Sequence, residues 1–307
     1  MQNDKIFVNV SSYRDPLLPY TIDNVLKNAA NPDNVVIGLC WQYGDEEPKE
    51  LPFDKDQVKI IRVPAVQSKG ACWARNLAFQ LWDDEKYFWL IDSHITTTKN
   101  WDEKLIKMYN QTSNPKSILS CAASQWNPPS DNLDWHGDSN KMAVSVANHF
   151  YGSILLQMYE VRDQSESPEL NTFLTACNLF GHSQWIKDVQ YDPDLFFLGE
   201  EITLAVRSFT HGWDHYATTE NMIYHKHDRG FRKVFSDDHY KQVGQLMDYS
   251  LKRLESMLLE TNEIDMGIYG LGNERTLKQY EQYAGVDFKE KVITDRARTG
   301  RPDLNYL

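Results

Sequence analysis

The chain has 307 residues, enough for two domains or for one large α/β domain that buries its own core. Hydrophobic residues make up 41% of the sequence and charged residues 25%, which excludes disordered, fibrous and disulfide-scaffold proteins. The 32 basic residues are outnumbered by 44 acidic ones, and the resulting charge of −12 disfavours long-range attraction to nucleic acid and to anionic membranes.

The sequence carries no targeting signal that we can identify, because residues 1–5 contain no apolar core. No apolar run approaches the roughly 18 residues that a membrane span needs. The four cysteines stand far apart and form no CxxC pair, a usage typical of reduced thiols inside the cell. We therefore expect a cytoplasmic protein with no membrane partner.

Strand signals alternate with helix signals over the first 125 residues. Apolar runs predict strands at residues 6–10, 35–41, 58–63, 87–91 and 117–123. Helical patterns lie between them, one ending near residue 28 and others covering 68–82 and 101–109. Such alternation predicts a parallel sheet covered by helices on both faces, with ligands bound beyond the carboxyl ends of the strands.

The rest of the chain is less regular. We predict a loop around residues 126–138, a strand over 144–150 and another strand within 172–180. Helices are expected over 200–210, 237–260 and 273–283, so the last third of the chain is predicted to be mainly helical.

The sharpest local signal is Asp92-Ser93-His94, directly after the apolar run at 87–91. Side chains two residues apart on an extended strand point to the same side, so Asp92 and His94 can face one ion. A carboxylate oxygen and an imidazole nitrogen together suit a divalent cation such as Mn²⁺. The plainer alternative is that Asp92 caps the following turn and that His94 lies on the surface.

A basic loop in the second half of the chain offers further groups. The run YHKH includes His225, a third metal-ligand candidate, and it continues as DRGFRK. Arg229, Arg232 and Lys233 in that continuation suit a diphosphate next to a metal ion. The alternative is a solvated loop.

Two predicted helices carry charged residues that are candidates for the site. Arg75 falls within the apolar stripe of the helix at 68–82, where a buried guanidinium requires a carboxylate or a ligand phosphate as its partner. Glu200 and Glu201 begin another helix, where they either favour the helix dipole or face a sugar hydroxyl.

Five motifs, in order along the chain, carry a resemblance to a known family. They are GACWARN around Arg75, IDSH, FFLGEE, TTENMIYH, and YGLGNERTLKQY with GVDF downstream. Together the motifs resemble glycosyltransferase family 60, which is typified by the cytoplasmic enzyme that attaches GlcNAc to hydroxyproline in a protein. The resemblance runs from residue 6 to about residue 288.

The resemblance implies an α/β fold of the GT-A type, a Rossmann-like nucleotide-sugar-binding fold with a mixed central sheet and a helical C-terminal region. It implies a catalytic domain over 1–235, divided into a nucleotide-binding half (1–124) and an acceptor or sugar half (125–235). A helical extension over 236–307 would pack on that domain. The implied cofactor is Mn²⁺ or Mg²⁺, and the implied donor is a UDP-sugar, UDP-GlcNAc in characterised members.

Site residues follow from the motifs that carry the resemblance. The implied metal ligands are Asp92, His94 and His225. The implied contacts to the nucleotide and its diphosphate are Ser11, Tyr13, Arg14, Arg75 and Asp92, and the basic loop adds Arg229 and Arg232 as candidates. The implied catalytic residues are Arg75, Glu200 and Glu201, with the two glutamates orienting the donor sugar or the acceptor.

The function implied is a metal-dependent, retaining transfer of a sugar from a UDP-sugar to a hydroxyl acceptor. A protein or glycan acceptor is favoured over nucleic acid because the chain is acidic. The same transferase acting on nucleic acid, a metal-dependent nucleotide-sugar hydrolase, and a non-catalytic binding module remain as alternatives. A hydrolase would release free sugar without an acceptor, and a binding module would not need His225 and the basic loop near Asp92.

Overall fold

The computed structural model describes residues 4–127 and 142–307. Strands and helices alternate along its amino-terminal part, as the sequence predicts. In chain order these elements are β1 (Ile6–Tyr13), α1 (Leu18–Asn28), β2 (Val35–Tyr43), β3 (Val58–Pro64), α2 (Ala71–Phe79), β4 (Tyr87–Asp92), β5 (Ile95–Thr97), α3 (Trp101–Gln111), β6 (Ser117–Ser120) and β7 (Ser124–Gln125).

The carboxyl-terminal part contains a long hairpin, the remaining sheet strands and four helices. In chain order these elements are β8 (Met142–Tyr151), β9 (Ile154–Arg162), β10 (Glu169–Leu170), β11 (Asn178–His182), α4 (Gln184–Val189), α5 (Glu200–Thr210), β12 (Asp214–Ala217), β13 (Ile223–His225), α6 (Phe235–Leu258), α7 (Leu277–Ala284), β14 (Val286–Asp287) and β15 (Val292–Ile293).

Eight strands form the central sheet in the order β10-β12-β6-β11-β4-β1-β2-β3. Strands β4, β1, β2 and β3 are parallel, whereas β11 runs antiparallel to both β4 and β6. The mixed central sheet expected for this fold class is therefore confirmed. The strands predicted from strand–helix alternation, β1, β2, β3, β4 and β6, all run parallel, and the sheet is mixed because β11 from the second half of the chain is inserted antiparallel between β4 and β6.

The sheet is covered on both faces because its strands send apolar side chains to both sides. Val8 and Val10 of β1 pack with Ile22 of α1 and Leu105 of α3. Phe7 points to the opposite face, which α2, α5, α6 and α7 cover. With helices on both faces, the carboxyl ends of β1, β2 and β4 form one edge that is open to a ligand.

The C-terminal helices share the core of the opposite face. Leu254 of α6 and Tyr280 of α7 belong to the same buried cluster as Phe209 of α5, and the Phe209 ring lies 4.8 Å from that of Tyr283. The helical extension thus packs against α5, while the boundary at residue 235 stays a prediction. Within 4–127 and 142–307, no helix combines the length and the apolar character that crossing a membrane requires.

Several predicted elements begin later in the structure, among them one strand and two helices. The strand expected within 172–180 begins only at Asn178, because the backbone N–H of Thr172 bonds the Gly300 carbonyl and that of Thr175 bonds Ser120 Oγ, at 2.9 Å each. The helix expected from residue 68 begins at Ala71, because Gly70 has a φ of 109°. Of the loop predicted at 126–138, residues 126 and 127 are described and the others lie outside the described residues.

Candidate active site

The candidate site lies where β4 ends. Asp92 is the last residue of that strand, and the chain bends at Ser93 and His94 before β5 begins. The prediction that Asp92 and His94 share a side of one extended strand is therefore wrong in its geometry. The bend brings the two side chains together instead, and Thr21 Oγ1 fixes it by donating a hydrogen bond to the Ser93 carbonyl at 2.8 Å.

The small sheet β5-β13-β7 places the third candidate metal ligand. His225 at the end of β13 pairs with Ile95 of β5, and the Lys226 N–H donates to the His94 carbonyl at 3.1 Å. Asp92, His94 and His225 each offer a ligand atom, and these atoms lie within 4.8 Å of one another. We call these three residues the metal cluster.

Protonation states in the metal cluster favour metal binding. Burial alone would raise the pKa of Asp92, but the guanidinium of Arg75 and the ring of His225 outweigh it and hold this pKa well below its usual range. Burial also lowers the pKa of His225, which favours the neutral imidazole. Asp92 is thus a carboxylate and His225 a neutral ring, the forms that bind metal ions.

Arg75 is the buried connection between the metal cluster and α5. One of its guanidinium nitrogens donates to Asp92 Oδ1 at 2.7 Å, and another pairs with Glu200. Tyr191 donates its hydroxyl hydrogen to the same Glu200 carboxylate. The sequence leaves open whether Arg75 pairs with a carboxylate or with a ligand phosphate. In this structure its partners are the carboxylates of Asp92 and Glu200.

The two glutamates at the start of α5 have separate partners. Glu201 accepts a hydrogen bond from the Ala176 backbone N–H at 2.9 Å, and burial raises its pKa to about 7. Gly199 has a φ of 90°, and a Cβ there would lie 2.5 Å from Leu254 Cδ1. This glycine allows the chain to turn sharply, so that both carboxylates project from the first turn of the helix.

The predicted nucleotide contacts after β1 hold the first turn of α6. Tyr13 donates its hydroxyl hydrogen to Asp238 at 2.6 Å, and Arg14 donates to both oxygens of Asp238 at 2.7 Å. Arg14 also pairs with Glu46. Ser11 Oγ, in contrast, is buried and has no hydrogen-bond partner among the residues that the structure describes.

Only part of the basic loop reaches the metal cluster. Arg232 Nη2 lies 3.4 Å from His94 Nε2, and its buried Nε has no hydrogen-bond partner within 4–127 and 142–307. Arg229 and Lys233 are exposed. Next to Arg232, a cavity of about 550 Å³ opens between this loop and the start of α1. The loop thus points one guanidinium at the cluster.

Two residues at the site were missed in the sequence. Asp15 accepts a hydrogen bond from the His94 ring, and Tyr191 shares Glu200 with Arg75. Asp15 stands just after β1, at the sheet edge where ligands bind, and that position was the available signal. Tyr191 carries no such signal, because α4 and the following turn bring it to Arg75 from far along the chain.

Comparison with known proteins identifies the class of enzyme to which the chain belongs. A family model described as Glycosyltransferase (GlcNAc) matches residues 5–53 and 48–290. The chain therefore belongs to this GlcNAc glycosyltransferase family, and its fold is the mixed α/β GT-A type that the sequence led us to expect. No curated protein matches the sequence.

Three solved structures illustrate the likeness. GalNAc-T7 with UDP, GalNAc and Mn²⁺ superposes with a TM-score of 0.58 at 12% identity, over 90% of this chain and 56% of that one. The chain thus spans little more than half of the GalNAc-T7 structure. S. aureus TarS 1-349 gives a TM-score of 0.48 at 10% identity, covering 94% of this chain and 81% of that one. The mannosyltransferase PcManGT from Pyrobaculum calidifontis was solved with GDP-Man and Mn²⁺. It gives a TM-score of 0.48 at 10% identity, covering 81% of this chain and 64% of that one.

Proposed function

We propose that this protein is a metal-dependent, retaining glycosyltransferase of family 60 that moves GlcNAc from UDP-GlcNAc to a hydroxyl group of a protein or glycan. The observation that carries the proposal is the metal cluster with Arg75 and Arg232 beside it, in a chain of the GlcNAc glycosyltransferase family. GalNAc-T7, which shares the fold, was solved with UDP and Mn²⁺. The cytoplasmic location expected from the cysteines is part of the same proposal.

The residues fit a divalent cation. The metal cluster offers one carboxylate and two imidazoles within a small, largely buried space, and both Asp92 and His225 favour their ligand forms. Mg²⁺ prefers oxygen ligands and several waters, whereas Mn²⁺ accepts imidazole nitrogen as well. We therefore propose Mn²⁺ as the ion and Asp92, His94 and His225 as its protein ligands. When bound, the cation would supply a Lewis acid that neutralises negative charge on the diphosphate.

Arginine side chains supply the remaining positive charge. Arg232 has a buried Nε without a partner in the described part of the chain, so it can donate to an oxygen of the departing diphosphate. Arg75 holds Asp92 at 2.7 Å and keeps the carboxylate oriented. Arg229 and Lys233 are exposed on the same loop and are proposed only as contributors to the positive field.

Retention is supported by the state of the two glutamates. Glu200 is held by Arg75 and Tyr191, and Glu201 by the Ala176 N–H. Because both carboxylates already have partners, they suit an orienting role better than covalent attack on the sugar. We propose that the acceptor hydroxyl attacks on the face from which the diphosphate leaves, and that its proton passes to a phosphate oxygen.

The donor is tested by ligand-dependent unfolding of the whole protein. We expect UDP-GlcNAc at about 100-fold excess over its Kd to raise Tm by about 5 °C, because it binds only the native state. The rise should require Mn²⁺ and should exceed the rise with UDP-glucose, UDP-galactose or GDP-mannose. No rise with any of these nucleotides, with and without Mn²⁺, would contradict the donor site. A larger rise with another sugar would contradict GlcNAc.

A further inference from the structure

We propose that Asp15 is a positioning residue that fixes the tautomer of His94 and thereby sets the affinity of the metal cluster for a divalent cation. The inference rests on the proposed function, because it takes Asp92, His94 and His225 as the metal ligands. It is supported by the geometry of the contacts around His94.

Asp15 contacts the Nδ1 atom of the His94 ring. Its Oδ2 lies 2.7 Å from His94 Nδ1 and accepts a second hydrogen bond from Ser93 Oγ at 2.7 Å. A carboxylate oxygen can only accept hydrogen bonds, so the Nδ1 atom carries the hydrogen. In a neutral imidazole this leaves the lone pair on Nε2.

An independent contact points to the same tautomer. Arg232 Nη2 lies 3.4 Å from His94 Nε2. A guanidinium has only donor groups, so a hydrogen bond from Arg232 to Nε2 would use a lone pair on that atom. The two contacts, on opposite nitrogens of one ring, therefore agree that Nε2 is the ligand atom of His94.

The Asp15 carboxylate is itself held rigidly. Its side chain is 1% exposed, and its Oδ1 accepts the Leu17 backbone N–H at 2.9 Å. Its backbone carbonyl accepts the Leu18 N–H at 3.2 Å, which ties Asp15 to the start of α1. A buried carboxylate with both oxygens engaged cannot turn away, so it fixes the orientation of the His94 ring as well as its tautomer.

The contrast with the second histidine sharpens the assignment. The Nε2 atom of His225 lies 3.0 Å from Asp92 Oδ2, inside the metal cluster, and its buried Nδ1 lacks a hydrogen-bond partner in the described residues. Carboxylates that accept from the non-ligating nitrogen of a histidine orient the ring and raise its basicity, and their loss weakens metal binding about 10- to 100-fold. In this chain Asp15 stabilises the ligand form of His94 alone.

The test compares Asp15→Asn with Asp102→Asn in the full chain. Asp102 is a matched control, since it is also buried and its carboxylate accepts backbone N–H bonds from Ala30 and Asn31 instead. Titration with Mn²⁺ in the absence of nucleotide, followed by electron paramagnetic resonance of the free ion, gives the affinity. We expect Asp15→Asn to bind Mn²⁺ about 10- to 100-fold more weakly. We expect wild-type affinity for Asp102→Asn, and a kcat for Asp15→Asn that returns close to wild type at saturating Mn²⁺.

A second readout is taken on the wild-type protein, with one variant used only for signal assignment. Two-bond ¹⁵N couplings in the metal-free wild type report the tautomer of His94, whose signal is assigned by its loss in His94→Gln. The proposal predicts a hydrogen on Nδ1. A hydrogen on Nε2, or Mn²⁺ affinity of Asp15→Asn within twofold of wild type, would overturn it. A wild type that binds no Mn²⁺ would overturn the proposed metal site itself, which separates the two failures.

Discussion

At the scale of single residues, the site depends on how its buried charged side chains pair with one another. Arg75 is 7% exposed and pairs with two carboxylates, Asp92 and Glu200, so it links the metal cluster to the start of α5. A buried ion that loses its partner costs several kcal/mol, because the remaining charge stays desolvated. The residues around Arg75 therefore contribute to stability and to the geometry of the site together.

Variants of Glu200 and Glu201 measure how much each buried carboxylate contributes to the free energy of unfolding. Glu200→Gln removes one of the two carboxylates that Arg75 faces, and we expect the free energy of unfolding to fall by about 3 kcal/mol. Glu201→Gln at pH 7 should cost less than about 1 kcal/mol, because burial raises the pKa of Glu201 to about 7 and leaves it half protonated there. Urea unfolding in the presence of a chelator measures both. Equal losses for the two variants would contradict the assigned partners.

The raised pKa of Glu201 also gives stability a dependence on pH. An unfolded glutamate ionises near pH 4.3, so between about pH 4.3 and 7 the folded state binds more protons than the unfolded state. The contribution of Glu201 to stability is therefore present at acid pH and is lost, by up to about 4 kcal/mol, as the pH rises through this window. Glu201→Gln should lack this component of the decline. An unchanged pH profile in Glu201→Gln would contradict the assignment.

Residue types alone indicated a large part of the site. Asp92, His94 and His225 could be chosen because carboxylate and imidazole are metal-ligand types beside apolar strand signals. Asp15 could not be assigned a role, because its contact with His94 spans 79 positions and depends on the bend at Ser93. Tyr13 and Arg14 were expected at the nucleotide, and the structure shows them bonded to Asp238.

At the scale of elements, the start of α6 is tied to the end of β1. Its first turn ends at a kink, where His239 leaves helical geometry and its Nε2 lies 2.8 Å from the Ala65 carbonyl oxygen. Asp238 accepts hydrogen bonds from Tyr13 and Arg14, and Phe235 lies 6.0 Å from the Tyr13 ring. This turn therefore covers residues that we predict to contact the nucleotide.

Removing the charge of Asp238 should loosen that turn. In Asp238→Asn we expect the amides of residues 235–239 to exchange with solvent about 5- to 30-fold faster, because charge-assisted bonds to a partly exposed Asp238 contribute about 1–2 kcal/mol. Hydrogen exchange read by mass spectrometry measures the effect. Asp248→Asn, an exposed position on the same helix, is the control and should exchange like wild type. Unchanged exchange in Asp238→Asn would show that other contacts hold the turn.

Element prediction succeeded where the signal was local. The strands β1, β2, β3 and β4 appear as apolar runs, and each is found near its predicted position. The start of β11 was predicted too early because Thr172 and Thr175 commit their backbone N–H groups to the Gly300 carbonyl and to Ser120 Oγ. Those partners lie 128 and 55 positions away. Contacts at that distance leave no periodic pattern in the sequence.

At the scale of the whole molecule, the sequence indicates the class of fold and the structure supplies the strand order. The antiparallel β11 between β4 and β6 makes the sheet mixed, and no local pattern reveals that placement. The family match covers most of the chain, and the acceptor is part of the proposed function. The fold therefore positions the metal cluster, and activity measurements with different acceptors identify what is glycosylated.

Turnover of UDP-GlcNAc by wild type and by Asp92→Asn, with Asp102→Asn as the control, tests the central claim most directly. The measurement is UDP release with increasing Mn²⁺, in the presence of protein and glycan acceptors. We predict Mn²⁺-dependent release in wild type and in Asp102→Asn, and a loss of at least about 100-fold in Asp92→Asn that remains folded, because the cluster has lost its only carboxylate. Wild-type turnover by Asp92→Asn, or turnover by wild type that ignores Mn²⁺, would contradict the account.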